Sequence, residues 1–177
     1  MDDPMLVEWS DFTTRPESRE LVRWLRSRAL DRLTGCGREE KLTITPPRYF
    51  GRLGIFVTLK RGTMIRGCYG AFSHGTSDIA SLLSDYLTGA MTRDPRYKPL
   101  DISELAETDI IMTVTSPPFA VNSLYDLDAG YYGFLLQCPN GEISIYVPAE
   151  IRQISYIERK ARDGSCQISA FKAVTIR

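Results

Sequence analysis

The sequence predicts an α+β fold in which a largely antiparallel sheet is flanked by helices. Two observations lead to this prediction. Segments rich in β-branched and aromatic residues come in pairs separated by short turns, which is typical of hairpins. Two longer segments, 17–34 and 79–91, place apolar residues at helical spacing. With 177 residues, of which 43% are hydrophobic, the chain can build one domain with a substantial core.

The N-terminal part is predicted to contain one helix between two irregular segments. Residues 1–16 are interpreted as a polar lead-in, so that the domain itself is expected to occupy 17–177. A helix over 17–34 follows from its apolar stripe, and Gly35 ends it. The segment 38–50 is predicted to be an extended connector because it contains two consecutive prolines.

A β-hairpin and a second helix follow. Residues 54–60 and 64–72 are predicted strands, and the turn signal Arg61–Gly62 joins them. A helix is predicted over 76–91, since Thr76, Ser77 and Asp78 are favourable start residues before a clear apolar stripe. The C-terminal part is predicted to contain mostly strands. The elements predicted there are one helical turn at 102–105, strands at 109–115, 132–137, 143–147 and 167–176, and a helix at 149–162.

Charge and composition exclude several classes of function. Lys plus Arg and Asp plus Glu both number 22, so the net charge of zero argues against general binding of nucleic acid or anionic membrane. No apolar run approaches the roughly 20 residues that a membrane span needs. The four cysteines show no C-x-x-C spacing, so no metal or cofactor is predicted. The expectation is a soluble, reduced, cytoplasmic protein without a secretory signal.

The most unusual segment is 64–73, which places one Arg, one Cys and two Gly in a predicted strand. Such residues are atypical of a buried strand. If the strand is regular, Arg66 and Cys68 share one face with Gly70. Glycines there allow a ligand or another backbone to come close. The only histidine, His74, follows directly.

These residues carry a family resemblance. The motif Ile65-Arg66-Gly67-Cys68-Tyr69-Gly70 resembles the Leu-Arg-Gly-Cys-Ile-Gly hallmark of the AMMECR family, whose microbial members are called AmmeMemoRadiSam system protein A. The strand at 54–59 and the elements Asp94-Pro95-Arg96-Tyr97 and Pro99-Leu100 match the family in order and spacing. The resemblance implies an α+β fold with a larger and a smaller lobe. It also implies association with a Memo-like protein and a radical-SAM protein, but no defined reaction.

Three interpretations of the hallmark remain open at the level of sequence. In the first, Cys68 is a nucleophile, Arg66 stabilises its thiolate or an oxyanion, and His74 is the general base. In the second, a small anion binds without covalent chemistry. The candidate ligand-binding residues are Arg66, Gly67, Gly70, Ser73, Thr76, Ser77, Asp94 and Arg96. In the third, Cys68 is an inert core residue and Arg66 pairs with an acid such as Asp94.

The second interpretation is the preferred one. It describes a binding or accessory module whose pocket lies at the end of the 54–72 hairpin, beside the 76–91 helix. The first alternative is an enzyme with Cys68 as nucleophile in a Memo- and radical-SAM-associated modification system. The other is a protein-interaction scaffold that uses Arg19, Arg23 and Arg26 on the first helix.

Overall fold

The computed structural model describes residues 3–37 and 40–177. Residues 1 and 2 of the predicted lead-in and residues 38 and 39 of the predicted connector lie outside the described residues. The helices are α1 Pro4–Phe12, α2 Pro16–Thr34, α3 Ile79–Thr92, α4 Ile102–Leu105 and α5 Ile154–Asp163. The strands are β1 Gly54–Arg61, β2 Met64–Ala71, β3 Asp109–Thr115, β4 Phe119–Ala120, β5 Tyr132–Gln137, β6 Ile143–Tyr146 and β7 Gln167–Ile176.

The strands form one curled, half-barrel sheet, and this confirms the predicted α+β class. The strand order is β2-β1-β3-β7-β5-β6, with the short β4 also paired to β7, and every pairing is antiparallel. The larger lobe contains β1 to β3 and helices α1 to α4, whereas the smaller lobe contains β5, β6 and α5. The long strand β7 belongs to both lobes because its C-terminal part pairs with β3 and its N-terminal part with β5.

The segment interpreted as a polar lead-in contains helix α1, which packs into the main core. The Asp3 carboxylate accepts a hydrogen bond from the Met5 amide, and Pro4 occupies the first turn, so the helix start is a favourable one. Trp9 and Phe12 are fully buried, and the indole of Trp9 donates to the Arg48 carbonyl over 3.0 Å. The lead-in interpretation is therefore wrong for residues 4–12, because the apolar residues of this short helix were not recognised as a stripe.

The β1–β2 hairpin is confirmed, but its strands are not regular. Gly62 has φ of +56° in the turn, a value that glycine adopts without strain. Leu59 pairs with Gly67 and Lys60 with Ile65, which leaves Arg66 as an extra residue in a β-bulge. The alternation of side chains is therefore interrupted at Arg66, and the prediction that Arg66 and Cys68 share one face does not hold.

The hallmark glycines serve close packing. A Cβ atom added at Gly67 would lie 1.9 Å from the Ala90 carbonyl oxygen of α3, which means that α3 lies directly on β2 at this point. A Cβ atom at Gly70 would lie 2.2 Å from the Ile55 carbonyl oxygen and 2.5 Å from the Phe56 ring. The space left by the missing side chains of both glycines is therefore filled by the protein's own backbone and side chains.

The smaller lobe departs from the predictions in two places. The predicted helix at 149–162 is divided into a 3₁₀ turn, Pro148–Glu150, and helix α5. A disulfide joins Cys138, which directly follows β5, to Cys166, which directly precedes β7. The expectation that all cysteines are reduced is wrong for this pair. The two cysteines are 28 residues apart in the sequence, and only the pairing of β5 with β7 brings them together. Cys36 and Cys68 are free thiols.

Among residues 3–37 and 40–177, no helix is both long and apolar enough to cross a membrane.

Candidate functional site

A cavity of ≈ 790 Å³ opens between the two outermost strands of the sheet. One wall is formed by β2, through Cys68 and Gly70, and by the 93–97 segment that follows α3. The opposite wall is formed by β6 and by α5. Of the predicted site residues, this cavity brings together Cys68, Gly70, Asp94 and Arg96. It therefore lies beside the hallmark, but residues 73–78 at the start of α3, where the pocket was predicted, do not line it.

The cavity wall contains three titratable side chains that we call the Arg96 cluster: Asp94, Arg96 and Glu150. The guanidinium of Arg96 donates to both oxygens of Asp94, over 3.0 and 2.8 Å, and to Glu150 over 3.0 Å. Both carboxylate side chains are 4% exposed, whereas Arg96 is 47% exposed toward the cavity. Buried carboxylates need such partners, because an unpaired charge in the interior carries a large desolvation cost.

The Arg96 cluster also connects the two outermost strands through their backbone. The Asp94 carboxylate accepts a hydrogen bond of 2.9 Å from the Cys68 amide of β2. The Glu150 carboxylate accepts a longer one, 3.4 Å, from the Val147 amide at the end of β6. A single guanidinium therefore binds two carboxylates; one accepts from an amide of β2, and the other accepts from the amide directly after β6.

The two carboxyl groups have shifted pKa values of opposite direction. Burial raises the pKa of Asp94, but the hydrogen bonds from Arg96 and from the Cys68 amide outweigh it, so the net pKa lies below the usual value. Burial raises the pKa of Glu150 above its usual value in spite of its contact with Arg96. Because the two differ in this way, Glu150 is the carboxyl of the cluster that takes up a proton first as the pH falls.

Cys68 lies in an environment that disfavours a thiolate. Burial raises the pKa of its thiol well above the usual value, and the charge of Glu150 raises it further. The opposing influences, a hydrogen bond of 3.3 Å from the Thr58 hydroxyl to Sγ and the charge of Arg96, do not offset these. A reactive cysteine needs an adjacent positive charge that outweighs burial, and at the half-buried Cys68 the charge of Arg96 does not.

Arg66 does not contribute to this cavity. Its guanidinium forms a two-bond pair with Glu104 of α4, with both N–O distances at 2.8 Å. The side chains are only 16% and 20% exposed. The prediction of an acidic partner for Arg66 is correct in kind, but the partner is Glu104 and not Asp94. Because Arg66 lies in the bulge, it points toward α4, and Arg96 is the arginine near Cys68.

His74 also lies apart from Cys68. Its Nε2 is 2.9 Å from the Leu53 carbonyl, which can only accept, so Nε2 carries the proton. Its Nδ1 then accepts from the Tyr86 hydroxyl over 2.8 Å, and Tyr49 packs edge-on against the ring. Burial lowers the pKa of His74, which favours the neutral ring. Both ring nitrogens are occupied, so the geometry does not favour His74 as a base for Cys68.

The predicted anion site at the start of α3 already contains a carboxylate. The side chain of Asp78 accepts hydrogen bonds from the amides of Ala80 and Ser81 at this helix N-terminus. The predicted residues Ser73, Thr76 and Ser77 do not line the main cavity. The Thr76 hydroxyl accepts from the Asp78 amide instead, which makes this segment a helix cap.

Several cavity residues were not predicted from the sequence. Glu150, Arg152 and Lys160 come from the segment after β6, which approaches β2 only through the curl of the sheet. No local pattern marked them. Glu104 had a recognisable signal, because Asp101 and Glu104 have the spacing of a capping box: the Asp101 carboxylate accepts from the Ser103 amide, and the Glu104 carboxylate accepts from the Asp101 amide. Within the described part of the chain, no three His, Cys, Asp or Glu side chains are grouped as metal ligands.

Comparison with known proteins establishes the family. The AMMECR1 family model matches residues 22–173, so the chain belongs to the AMMECR1 family. A protein from Methanococcoides burtonii is 35% identical over 103 residues, which cover 55% of this chain and 51% of the relative. A protein from Thermotoga maritima is 34% identical over 86 residues, or 48% of this chain and 49% of the relative. The chain spans about half the length of these curated relatives.

A solved structure shows the same fold. The crystal structure of the uncharacterized protein PH0010 from Pyrococcus horikoshii matches with a TM-score of 0.62 at 18% identity. The match covers 95% of this chain and 89% of that chain. The curled sheet with its two lobes is thus shared with this protein over almost the whole of the present chain.

The Arg66–Glu104 pair predicts how stability depends on pH. Hydrogen bonds from Arg66 lower the pKa of Glu104 from 4.5 to about 2. Unfolding restores the higher pKa, so the stabilisation is fully present above pH 4.5 and is lost as the pH falls through about 2. Urea unfolding across this range should show a shallower loss of stability for Glu104→Gln than for the unmodified chain. Parallel curves for the two proteins would contradict the assignment.

Proposed function

We propose that this AMMECR1-family chain is a non-covalent binding module that takes an anionic group in the cavity between β2 and β6. The observation that supports this most directly is the arrangement of charges around the cavity. Three of its cations have carboxylate partners: Arg93 pairs with Asp85, Lys160 with Glu142, and Arg96 with its own cluster. For Arg152, by contrast, the contacts among the described residues comprise one hydrogen bond, to the Thr63 carbonyl.

The remaining walls suit a ligand that combines negative charge with apolar or flat parts. Tyr69, Tyr97, Tyr146 and Tyr156 line the cavity together with Phe56 and Ile65. Tyr156 is 50% exposed, so its ring is accessible at the opening. Ligand sites commonly combine a mostly apolar lining with a few polar groups that fix orientation, and their volumes run from about 300 to 1,000 Å³. The cavity lies within this range of volumes, but its lining is more polar than this description, since seven of the lining side chains are charged.

The alternative in which Cys68 is a catalytic nucleophile receives less support from the geometry. A nucleophilic thiol needs a base or a cation that favours its thiolate. The pKa of Cys68 is raised by burial and by Glu150, and His74 is engaged elsewhere. The position of Cys68 at the cavity instead suits a small apolar wall residue.

Alkylation distinguishes these two functions. We expect Cys68 to react with iodoacetamide at neutral pH at least tenfold more slowly than the exposed Cys36. The two thiols are compared in the variants Cys36→Ser and Cys68→Ser by mass spectrometry under non-reducing conditions, which keep the Cys138–Cys166 disulfide intact. A Cys68 that reacts as fast as Cys36, or faster, would favour the enzyme.

The anion proposal is tested with inorganic phosphate and acetate as probes. In a titration followed by protein NMR, the amide signals of Gly70 and Arg152 should shift, and Arg152→Gln should weaken binding at least fivefold. Arg159→Gln is the matched control, since this exposed arginine of α5 does not line the cavity. Shifts confined to residues 73–77, or equal binding by the two variants, would contradict the proposal.

We also propose, from the family resemblance, that the module acts in the cytoplasm together with a Memo-like and a radical-SAM protein. The scaffold alternative would place the contact on α2, where Arg19 and Arg23 are exposed. Arg26 is less available, because it donates to the carbonyls of Leu105 and Thr108. Loss of co-purification in an Arg19→Glu/Arg23→Glu variant would favour the scaffold, whereas loss in Arg152→Gln alone would favour the cavity.

A further inference from the structure

The cavity lies between two strands that each have an unpaired side. β2 and β6 are the first and last strands in the order of the sheet, so among residues 3–37 and 40–177 each is hydrogen-bonded to a neighbouring strand on one side only. Both line the same ≈ 790 Å³ space. Unpaired strand edges present backbone amides and carbonyls that can pair with another extended chain.

The pairing pattern of β6 identifies which of its backbone groups face outward. Within the turn, the Cys138 amide donates to the Glu142 carbonyl over 2.9 Å, which makes this a hydrogen-bonded pair. Bonded and non-bonded pairs alternate in an antiparallel ladder. The next pair, Gln137 with Ile143, is therefore non-bonded, and so is Leu135 with Ile145. The amides and carbonyls of Ile143 and Ile145 consequently point away from β5, on the cavity side of β6.

Two neighbouring positions show what such amides bind in this protein. The Val147 amide continues the outward series of β6, and it donates to the Glu150 carboxylate. On β2, the outward amide of Cys68 donates to the Asp94 carboxylate. On each side of the cavity, one outward-pointing amide therefore already donates to a carboxylate of the chain itself. Ile143 and Ile145 have no such acceptor among the described residues.

The surroundings of β6 provide places for side chains of an incoming strand. A second hollow of ≈ 330 Å³ adjoins the cavity, and Tyr146, Ile151 and Ile157 give it a largely apolar lining. Arg152 borders both spaces. In strand addition, backbone hydrogen bonds supply affinity, and pockets for alternate side chains supply specificity.

We propose that β6 binds an extended segment of another protein by strand addition, through the backbone of Ile143 and Ile145. An acidic side chain of that segment pairs with Arg152, and an apolar one enters the second hollow. The inference rests on the proposed function, and it names the ligand class as an acidic, extended peptide. The acidic partner follows from Arg152, which has no carboxylate partner among the described residues; pairing with a second copy through its own β6 edge is an alternative outcome of the test.

The test uses a displayed library of random octapeptides selected on the intact chain. Selected peptides are resynthesised and titrated by NMR. We expect an enrichment in Asp and Glu, and at least tenfold slower hydrogen exchange at the Ile143 and Ile145 amides when peptide is bound. The Ser144 amide is the internal control, because it already belongs to the β5–β6 ladder. N-methylation of alternate peptide amides should weaken binding at least tenfold.

Two variants of Ile145 test the backbone hydrogen bond between β6 and the peptide from the protein side. Ile145→Pro removes one outward amide that is not part of the ladder, and proline is tolerated at such edge positions. It should abolish peptide binding, whereas Ile145→Val should retain it. If the proline variant does not fold, the N-methylated peptides still test the bond on the unmodified protein.

The outcomes separate this inference from the proposed function. In one outcome, phosphate binds and Arg152→Gln weakens this binding, but no selected peptide slows hydrogen exchange at the Ile145 amide. This result would overturn strand addition and would still support the anion site. Peptides that pair with β6 while phosphate does not bind would overturn the anion site alone. Concentration-dependent self-association that Ile145→Pro abolishes would assign the edge to a second copy and would also overturn the inference.

Discussion

The structure around the hallmark depends on one interaction, the bonding of Arg96 to both Asp94 and Glu150. It joins the ends of a curled sheet that is open between β2 and β6. Each carboxylate is buried; Asp94 accepts a hydrogen bond from an amide of β2, and Glu150 accepts one from the amide directly after β6. Removing the guanidinium would leave two buried carboxylates without their counter-charge, which is the costly way to break such a cluster.

Packing and hydrogen bonding account for the arginine, the cysteine and the two glycines of the hallmark. No shared catalytic role is needed to explain them. The absence of a side chain at Gly67 allows α3 to pack directly on β2, and its absence at Gly70 allows close contact with the Phe56 ring. Arg66 attaches the hairpin to α4 through Glu104. Cys68 provides the amide that Asp94 accepts and a small side chain at the cavity. These hallmark residues thus pack and connect the hairpin, and the ligand that we propose would lie on the opposite wall of the cavity, against Arg152 and β6.

The sequence predicted what depends on local patterns and missed what depends on the curl of the sheet. Strand β3 and the β1–β2 hairpin followed from β-branched residues and a glycine turn, and β3 has the predicted bounds. The bulge at Arg66 was not predictable from alternation, because it appears only in the register with β1. Arg96 was recognised through the family motif. Its partner Glu150 lies 54 residues away, and only the three-dimensional path of β7 and β5 brings it near.

Hydrogen exchange in a variant of Arg96 tests the central role of the cluster most directly. The substitution Arg96→Ala is compared with Arg93→Ala, a neighbouring arginine that lines the cavity but bonds to Asp85 instead. Our account predicts that the amides of Cys68 in β2 and of Val147 directly after β6 both exchange at least tenfold faster in Arg96→Ala and remain unchanged in Arg93→Ala. Unchanged exchange at both amides in Arg96→Ala would contradict it.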